Sequence, residues 1–362
     1  MSWIKTFSIQ VSVVVILFLG SDFIYTKYFH IPTNQESVYR IQNDIFHHSL
    51  LPSFDGIGNW GGEPYQVCTD VNGFKSDCGN IVTSRTNFDI AFIGDSFTEA
   101  IGVPYEDSFV GLFDNANPDL NVANLGVSSY APTVYRTKIE DFIRRGYEFN
   151  HVIVFVDISD IQDESQYFKD SRGNVLHSPD GTAVFEVGLL TRVKKFLANN
   201  FALLAFVYQS VKQILIGDEG TSTPDVFVLE RSEWTYNPSS NAYGELGVNG
   251  SLEKAVREMT LLHEFLEGEG VKLSVGVYPW PAQIREMMLN DNDSNLQAEI
   301  WRDFCINRCV HFINMFPRYF DLVKNSSVDD VYNRYFIQGD VHYNREGNKL
   351  IHEALIELNV VD

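Results

Sequence analysis

The chain has 362 residues, of which 44% are hydrophobic and 14% aromatic, so it can bury a core larger than one average domain needs. Charged residues make up 21%, and no long stretch is dominated by Ser, Gln or Pro, which argues against wholesale disorder. The formal net charge of -21 argues against nucleic acid as a partner, because the phosphates would be repelled.

The first apolar segment runs from about residue 3 to residue 25, a length that suits one membrane span. Lys5 precedes the apolar block as the charge of a signal peptide would, but residues 17–21 put bulky side chains where a signal peptidase needs small ones. An uncleaved anchor over residues 1–28 is therefore favoured over a cleaved signal peptide. Because Lys5 and Lys27 flank the span almost symmetrically, the charges do not fix its orientation.

Residues 29–86 are rich in turn residues and aromatics, and they predict an irregular stem that wraps a later domain. The four cysteines form two close pairs, Cys68/Cys78 and Cys305/Cys309, which favours disulfides and an oxidising compartment. A bridge at helical i,i+4 spacing is unusual, so free thiols remain the alternative, above all for the second pair. Neither pair has the spacing of a zinc site.

From residue 87 onwards, short apolar runs rich in β-branched residues alternate with segments of helical periodicity. This alternation predicts a parallel sheet covered by helices on both faces. Such sheets bind ligands at the carboxyl ends of their strands, so the chemistry is expected directly after each apolar run. The predicted strands are 88–94, 121–125, 152–156, 271–278 and 311–314, and the predicted helices are 133–145, 251–267 (with Ser251 as its N-cap), 296–309 and 346–358.

One long connection, about residues 160–250, interrupts this alternation between the third and fourth strands. It contains a predicted amphipathic helix at 190–216 and an aromatic segment at 234–236. A connection of this length is usually functional, so we interpret it as an insert within a domain that covers residues 87–362.

The first predicted strand ends in Gly94-Asp95-Ser96. Gly94 permits a tight exit from the strand, and Ser96 falls at the carboxyl end of the sheet, where its hydroxyl can point into a cleft. The backbone N–H of Ser96 can then bind a developing oxyanion. A serine after an aspartate is also an ordinary turn or helix cap, so the tripeptide alone does not identify a nucleophile.

Asp340 and His342 stand directly before the last predicted helix. A neutral imidazole can take the proton of a serine hydroxyl near pH 7, and a carboxylate beside it can orient the ring and stabilise the imidazolium. A lone histidine is as often a capping or surface residue. The combination predicts nucleophilic catalysis with Ser96 as nucleophile, His342 as base and Asp340 as the residue that orients it.

With these motifs the sequence resembles the SGNH (GDSL-like) hydrolase family over roughly residues 87–360, with the insert outside the match. The resemblance implies a flavodoxin-like, three-layer α/β/α fold with a five-stranded parallel sheet, and it assigns the nucleophile role to Ser96. The last block of the family pairs an aspartate with the catalytic histidine, here Asp340 and His342. One residue separates them where two are usual, a shorter form also known in acetyltransferase members.

The resemblance also implies an oxyanion hole. The second block of the family resembles residues 124–130, and its oxyanion glycine falls on Ser129, whose backbone N–H can still donate. The third block resembles residues 157–160, where Ser159 replaces an asparagine that donates its side-chain amide. Loss of an oxyanion donor costs ~100- to 1,000-fold in rate, so we expect slow turnover or a different donor supplied by the insert.

Trp280 follows the fourth predicted strand and is expected at the rim of the cleft. It could stack on a sugar ring there, and a tryptophan packed in the core is the alternative. The sequence has no P-loop or dinucleotide fingerprint, and neither a cofactor nor a metal is expected.

The anchor, the oxidising compartment and the insert together predict an extracytoplasmic protein, periplasmic or on the cell surface. Its expected activity is that of a serine ester hydrolase or O-acyltransferase, acting through an acyl-enzyme on Ser96 on O-acyl groups, chiefly O-acetyl, of an envelope glycan. A transferase would need a membrane partner to deliver the acyl donor. The alternatives are a non-catalytic SGNH-like protein that binds or assembles glycans, and a lipid-directed esterase.

Overall fold

The computed structural model describes residues 2–29, 38–81, 84–177, 200–204, 207, 226–227, 230–236, 243, 246–293 and 295–361. The chain divides into two compact units. The first combines Met1–Thr33 with Val184–Thr223, and the second combines Asn34–Ala183 with Pro224–Asp362.

The first unit contains the N-terminal helix α1 (Ser2–Tyr28). Its segment Ile9–Tyr28 is long and apolar enough to cross a membrane, with a mean hydropathy of 1.8, although a signal sequence would have the same character. The buried carboxylate of Asp22 accepts the backbone N–H groups of Leu203 and Leu204 at 2.9 and 2.8 Å. The start of a short helical segment is thereby bound to α1, since these N–H groups have no partner within their own helix.

Strands and helices alternate along most of the second unit. The described strands are β1 (Arg40–Asn43), β2 (His47–Leu50), β3 (Asp55–Trp60), β4 (Glu63–Cys68), β5 (Asn87–Ile93), β6 (Val122–Asn124), β7 (Glu148–Phe155), β8 (Tyr167–Lys169), β9 (Val175–His177), β10 (Lys272–Val277) and β11 (Phe312–Asn314). The described helices are α2 (Ser96–Glu99), α3 (Phe109–Ala116), α4 (Pro132–Arg144), α5 (Asp160–Glu164), α6 (Glu230–Glu233), α7 (Gly247–Gly268), α8 (Pro281–Asn290), α9 (Leu296–Cys305), α10 (Phe316–Lys324), α11 (Val328–Tyr335) and α12 (Arg345–Glu357).

The central sheet has five parallel strands in the order β11-β10-β7-β5-β6. The chain moves from β5 to its neighbour β6 and then returns to β7 on the other side of β5. Right-handed crossovers in opposite directions put α3 and α4 on opposite faces of the sheet. The predicted α/β fold with a five-stranded parallel sheet is confirmed, and its strand order is the flavodoxin-like one.

The sheet forms because its strands are apolar on both faces. Phe92, Ile93, Val152 and Val154 are all fully buried, as expected for parallel strands covered by two helical layers. On these faces α3 packs against α12, and α4 packs against α7. The carboxyl ends of β5 and β7 lie side by side at the point where the strand order reverses, which is where sheets of this type bind ligands.

The stem consists of two antiparallel hairpins, β1–β2 and β3–β4, which lie outside the central sheet. A disulfide joins Cys68, at the end of the second hairpin, to Cys78. Next to it the ammonium group of Lys75, which is only 2% exposed, donates to the carbonyls of Ala100 and Val103 at 2.8 Å each. The stem is therefore attached to the loop that follows the first strand of the sheet.

Two details of the predicted helices are wrong. The helix predicted from Ser251 begins at Gly247, and the hydroxyl of Ser251 donates to the carbonyl of Gly247 inside the helix instead of capping it. The helix predicted over 296–309 ends at Cys305, and Asn307 has a left-handed φ of 62° that continues the turn. The Cys305–Cys309 disulfide therefore joins the last residue of the helix to the turn that follows it, instead of lying within a regular helix.

The insert is described in part. Most of the helix predicted at 190–216 lies outside the described residues, apart from residues 200–204 and 207. The aromatic segment 234–236 follows the short helix α6 as a turn, and the indole of Trp234 is buried and donates to the carbonyl of Ile158 at 3.3 Å. This part of the insert therefore packs against the loop at the end of β7.

Candidate active site

Ser96 is the first residue of α2, directly after the first strand of the central sheet. The turn requires glycine at position 94, because a Cβ there would lie 2.1 Å from the hydroxyl oxygen of Thr98 and 2.8 Å from the carbonyl oxygen of Phe155. Asp95 caps the short helix by accepting the N–H of Phe97 at 3.0 Å. The backbone thus holds the Ser96 side chain at the carboxyl edge of the sheet.

Ser96, His342 and Asp340 form a hydrogen-bonded chain. The Oγ of Ser96 lies 2.7 Å from the Nε2 of His342, and the Nδ1 of His342 lies 2.5 Å from the Oδ1 of Asp340. Because an ionised carboxylate only accepts, Nδ1 carries a proton and the lone pair of Nε2 faces the serine hydroxyl. This is the arrangement in which an imidazole removes the proton of a serine.

The single residue between Asp340 and His342 has a geometric consequence. The Oδ1 of Asp340 accepts both the ring Nδ1–H and, at 2.9 Å, the backbone N–H of His342, two residues further along the chain. A side-chain bond to the N–H two residues on is an Asx-turn, so one carboxylate oxygen holds the backbone and the ring of the histidine together. Burial acts to raise the pKa of Asp340, but the hydrogen bonds from His342 and Trp60 outweigh it and lower that pKa below its usual value.

Trp60 is a residue that sequence reasoning missed. Its indole Nε1–H donates to the Oδ2 of Asp340 at 2.9 Å, and its ring meets the imidazole of His342 edge to face with centroids 5.4 Å apart. Trp60 is the last residue of β3, so the stem contributes directly to this site. The sequence carries no signal for this contact beyond the aromatic character of the stem, because Trp60 and Asp340 are 280 positions apart.

Two backbone N–H groups are available beside the serine. Among the hydrogen bonds of the described residues, none uses the N–H of Ser96 or that of Ser129 as donor. Ser129 has a left-handed φ of 62°, a conformation that glycine adopts most readily, at the position where the family that the sequence resembles has glycine. Both residues line the same cavity, which suits an oxyanion hole built from backbone donors.

In the loop that carries Ser129, three side chains contact the neighbouring Ser128. The buried carboxylate of Glu99 accepts the N–H of Ser128 at 2.7 Å and pairs with Arg40 of the stem at 2.9 Å. The imidazole of His48, also from the stem, contacts the carbonyl of Ser128 at 2.8 Å. The stem therefore supports both the base of the catalytic chain and the loop with a backbone donor.

Ser159 follows β7, as predicted, but its hydroxyl hydrogen is already used. Its Oγ donates to the Oδ2 of Asp157 at 2.5 Å, and its N–H donates to the same oxygen at 3.0 Å. A hydroxyl has a single hydrogen, so in this arrangement it has none for an oxyanion. Trp280, at the other side of Asp157, donates its Nε1–H to Oδ1 at 2.7 Å and is only 4% exposed, which leaves little of its ring for a sugar.

Three buried carboxyl groups, those of Asp95, Asp157 and Asp160, lie beneath the serine with oxygens within 4.8 Å of one another. Burial, and then repulsion from the neighbouring carboxylates, raises the pKa values of Asp95 and Asp160 well above their usual range. A raised pKa follows because protonation of either carboxyl group relieves part of this repulsion. The hydroxyl of Tyr278 donates to Asp95 at 3.2 Å, and that of Tyr135 donates to Asp160 at 2.6 Å.

These residues open on a cavity of about 540 Å³ at the carboxyl edge of the sheet. Its walls include Ser96 and His342, the two loop serines Ser129 and Ser159, and Arg231 from the insert. The volume is within the range of small-molecule binding sites. The cavity can therefore bring a small ester group to the serine, with the imidazole of His342 on one side and backbone N–H groups on the other.

The fold has counterparts among solved structures, whereas the sequence matches no family model and no curated protein. The chain is similar to a member of the lipolytic protein G-D-S-L family from Veillonella parvula (13% identity, 74% of this chain and 96% of that one, TM-score 0.39). It is also similar to an acetylxylan esterase from Geobacillus stearothermophilus (10% identity, 75% and 93%, TM-score 0.40) and to the psychrotrophic esterase EstA from Pseudoalteromonas sp. (10%, 76% and 97%, TM-score 0.36).

The strand order of the sheet and the placement of Ser96, Asp340 and His342 are those that the sequence resemblance to SGNH (GDSL-like) proteins implies. The geometry is that of a candidate serine-nucleophile site, with a histidine and an aspartate from the opposite end of the chain.

Proposed function

We propose that this chain is a serine ester hydrolase of the SGNH type. The observation that carries the proposal is the chain of hydrogen bonds from Ser96 through His342 to Asp340, with distances of 2.7 and 2.5 Å, at the wall of a cavity. A serine, an imidazole and a carboxylate in this order are the components of acyl transfer through a covalent intermediate.

The proposed reaction begins when the Oγ of Ser96 forms a bond to the ester carbonyl carbon while its proton passes to the Nε2 of His342. The carbonyl π electrons move to oxygen, and the N–H groups of Ser96 and Ser129 bind the resulting oxyanion. When the tetrahedral intermediate collapses, the bond to the alcohol oxygen breaks and His342 returns its proton to that oxygen, which leaves an acyl-enzyme. Water then repeats the sequence, with His342 as base, and releases the acid.

The finer proposal is that the enzyme is anchored by α1 and works outside the cytoplasm on O-acyl groups, chiefly O-acetyl, of an envelope glycan. An apolar N-terminal helix and two disulfides support an exported site of action. If a glycan hydroxyl replaced water in the second half-reaction, the same site would perform O-acyl transfer, for which a membrane partner would supply the donor.

A second candidate is a non-catalytic glycan-binding protein on the same fold. The observation that favours it is the hydrogen bond from Ser159 to Asp157, which removes the donor expected in the third block. Intact positioning of Ser96, His342 and Asp340 favours the enzyme, because a binding protein has no need to keep these three side chains in hydrogen-bond contact.

Active-site labelling tests the proposal. Treatment of the detergent-solubilised full chain with a fluorophosphonate should modify Ser96, as read by peptide mass, and the variants Ser96→Ala and His342→Ala should not be labelled. The same preparation should hydrolyse p-nitrophenyl acetate. A folded wild-type protein that is neither labelled at Ser96 nor active on this ester would favour the binding protein.

A further inference from the structure

Arg231 of the insert lies in the wall of the cavity that contains Ser96 and His342. It belongs to the short helix α6, and its backbone carbonyl accepts the hydroxyl of the buried Tyr243 at 3.0 Å. Three residues further on, the indole of Trp234 donates to the carbonyl of Ile158 in the loop after β7. The position of Arg231 is therefore set by packing of the insert against the loop where the third oxyanion donor was expected.

The guanidinium group of Arg231 uses few of its five donors. Nη2 pairs with the carboxylate of Asp163 at 2.7 Å and lies 3.5 Å from the carbonyl oxygen of Ser159. Nε is buried and has no acceptor among the described residues. The side chain as a whole is 40% exposed, so N–H groups other than Nε are accessible in the cavity wall, where an oxygen of a bound ligand can accept them.

The contacts of Ser159 show that it does not supply the side-chain oxyanion donor expected from the third block. Its hydroxyl and its N–H are both donated to Asp157, whereas its carbonyl faces Arg231. The site thus has two backbone donors, at Ser96 and Ser129, and no side-chain donor from the third block. Among the described residues that line the cavity, Arg231 is the one arginine or lysine.

We propose that Arg231 is the third oxyanion donor of this enzyme and replaces the amide of the family's asparagine. The proposal rests on the proposed ester hydrolysis, because the oxyanion exists only during that reaction. As the bond from Ser96 to the carbonyl carbon forms, the carbonyl oxygen gains negative charge and accepts hydrogen bonds from the guanidinium and from the N–H groups of Ser96 and Ser129. A fixed positive charge next to this oxygen stabilises the transition state more than the neutral ester.

Asp163 has a positioning role in this arrangement. Its ion pair with Nη2 fixes the plane of the guanidinium but occupies only one nitrogen. The remaining N–H groups keep a delocalised positive charge, which arginine retains at every pH at which proteins are stable. The carboxylate thus orients the donor without occupying all of its N–H groups.

The test is steady-state kinetics with p-nitrophenyl acetate, an ester whose acyl and leaving groups carry no charge that an arginine could bind. We expect Arg231→Gln to lower kcat by ~100-fold or more while KM changes by less than about threefold, because the lost interaction belongs to the transition state. Arg231→Lys keeps the charge and should recover part of this loss. Guanidinium chloride, far below denaturing concentrations, should raise the rate of Arg231→Ala and leave the wild-type rate unchanged.

Arg285→Gln is the matched control. Its guanidinium donates to the carbonyl of Phe227 and lies over the ring of that residue, outside the residues that line the cavity, so its kcat should equal that of the wild type. Thermal unfolding of each variant identifies any loss of kcat that reflects misfolding. If Arg231→Gln is misfolded, the kcat of Arg231→Lys, whose side chain has a similar volume, is used instead.

The outcomes separate the two proposals. A wild-type protein without esterase activity contradicts the proposed function. Wild-type activity together with an unchanged kcat in folded Arg231→Gln contradicts the role of Arg231 alone. A higher KM at unchanged kcat would also contradict it, because that result assigns Arg231 to ground-state binding of the ester.

Discussion

The indole N–H of Trp60 and the ring N–H of His342 are bound by the two different oxygens of the same carboxylate, that of Asp340. The tryptophan thus fixes the plane of the aspartate, and the aspartate fixes the plane of the imidazole. A residue of the stem therefore controls the direction in which the base faces Ser96. The stem is part of the candidate active site and not only a connection to the N-terminal helix.

Trp60→Phe keeps an aromatic ring in the stem but removes the indole N–H together with the pyrrole part of the ring. A hydrogen bond to a charged group contributes about 1.5–3 kcal/mol, and we expect kcat to fall by about tenfold because the imidazole is oriented less well. The measurement is esterase kinetics together with the rate of fluorophosphonate labelling. Trp301→Phe is the control, since the N–H of this buried tryptophan has no acceptor among the described residues. Equal kcat values for wild type and Trp60→Phe would contradict the positioning role.

Asp340→Asn should be far more damaging. The amide cannot accept the ring N–H and also stabilise an imidazolium, so the histidine loses both its tautomer and its charge partner. We expect a fall in kcat of ~1,000-fold or more with little change in the thermal midpoint. Asp329→Asn, at an exposed carboxylate in the first turn of α11, serves as the control. A loss below tenfold in folded Asp340→Asn would remove Asp340 from the mechanism.

Ser159→Ala distinguishes two roles for the third block. A hydroxyl directed at the oxyanion would cost ~100-fold or more in kcat when removed. The observed bond to Asp157 predicts a smaller effect, below about tenfold, because the variant loses only one contact that holds the loop. Steady-state kinetics of the purified variant measures kcat, and circular dichroism shows whether the variant is folded. A hundredfold loss in a folded protein would show that Ser159 turns towards the substrate during the reaction.

The stability of the fold should depend on pH through His48. Burial lowers the pKa of His48 to about 3, whereas an unfolded histidine titrates near 6.5. Between about pH 6.5 and about pH 3, His48 is therefore protonated in the unfolded state but not in the folded state. The free energy of unfolding decreases as the pH falls through this range. His48→Gln keeps a donor for the carbonyl of Ser128 but cannot be protonated.

We therefore expect the thermal midpoint of the wild type to fall further between about pH 7 and about pH 4.5 than that of His48→Gln. His263→Gln, at a partly exposed position of α7, should behave like the wild type. If the thermal midpoints of wild type and His48→Gln fell equally with pH, the protonation of His48 would not contribute to the pH dependence of stability.

The sequence predicted the sheet and the three residues of the hydrogen-bonded chain because both depend on local signals. Each apolar run lies within a few residues of its strand, and the tripeptide ending at Ser96 stands where the first strand ends. Trp60 and Arg231 could not be predicted, because each acts through a partner that is brought near only by the tertiary fold. The role of Ser159 depends on the direction of its hydroxyl group. The hydrogen bond to Asp157 sets this direction, and the spacing of residues in the sequence does not predict it.

The sequence separations within the candidate site bear on how the protein matures. The contact between Ser96 and His342 joins residues 246 positions apart, and that between Trp60 and Asp340 joins residues 280 positions apart. Contacts between residues so distant in sequence form late in folding. Closing the long loop between them lowers the entropy of the chain before the contact itself can stabilise the structure. A ribosome-bound chain that lacks the segment before α12 has its serine but neither base nor carboxylate. Reactivity of Ser96 would therefore report on completion of the whole fold, from the stem to the last helix.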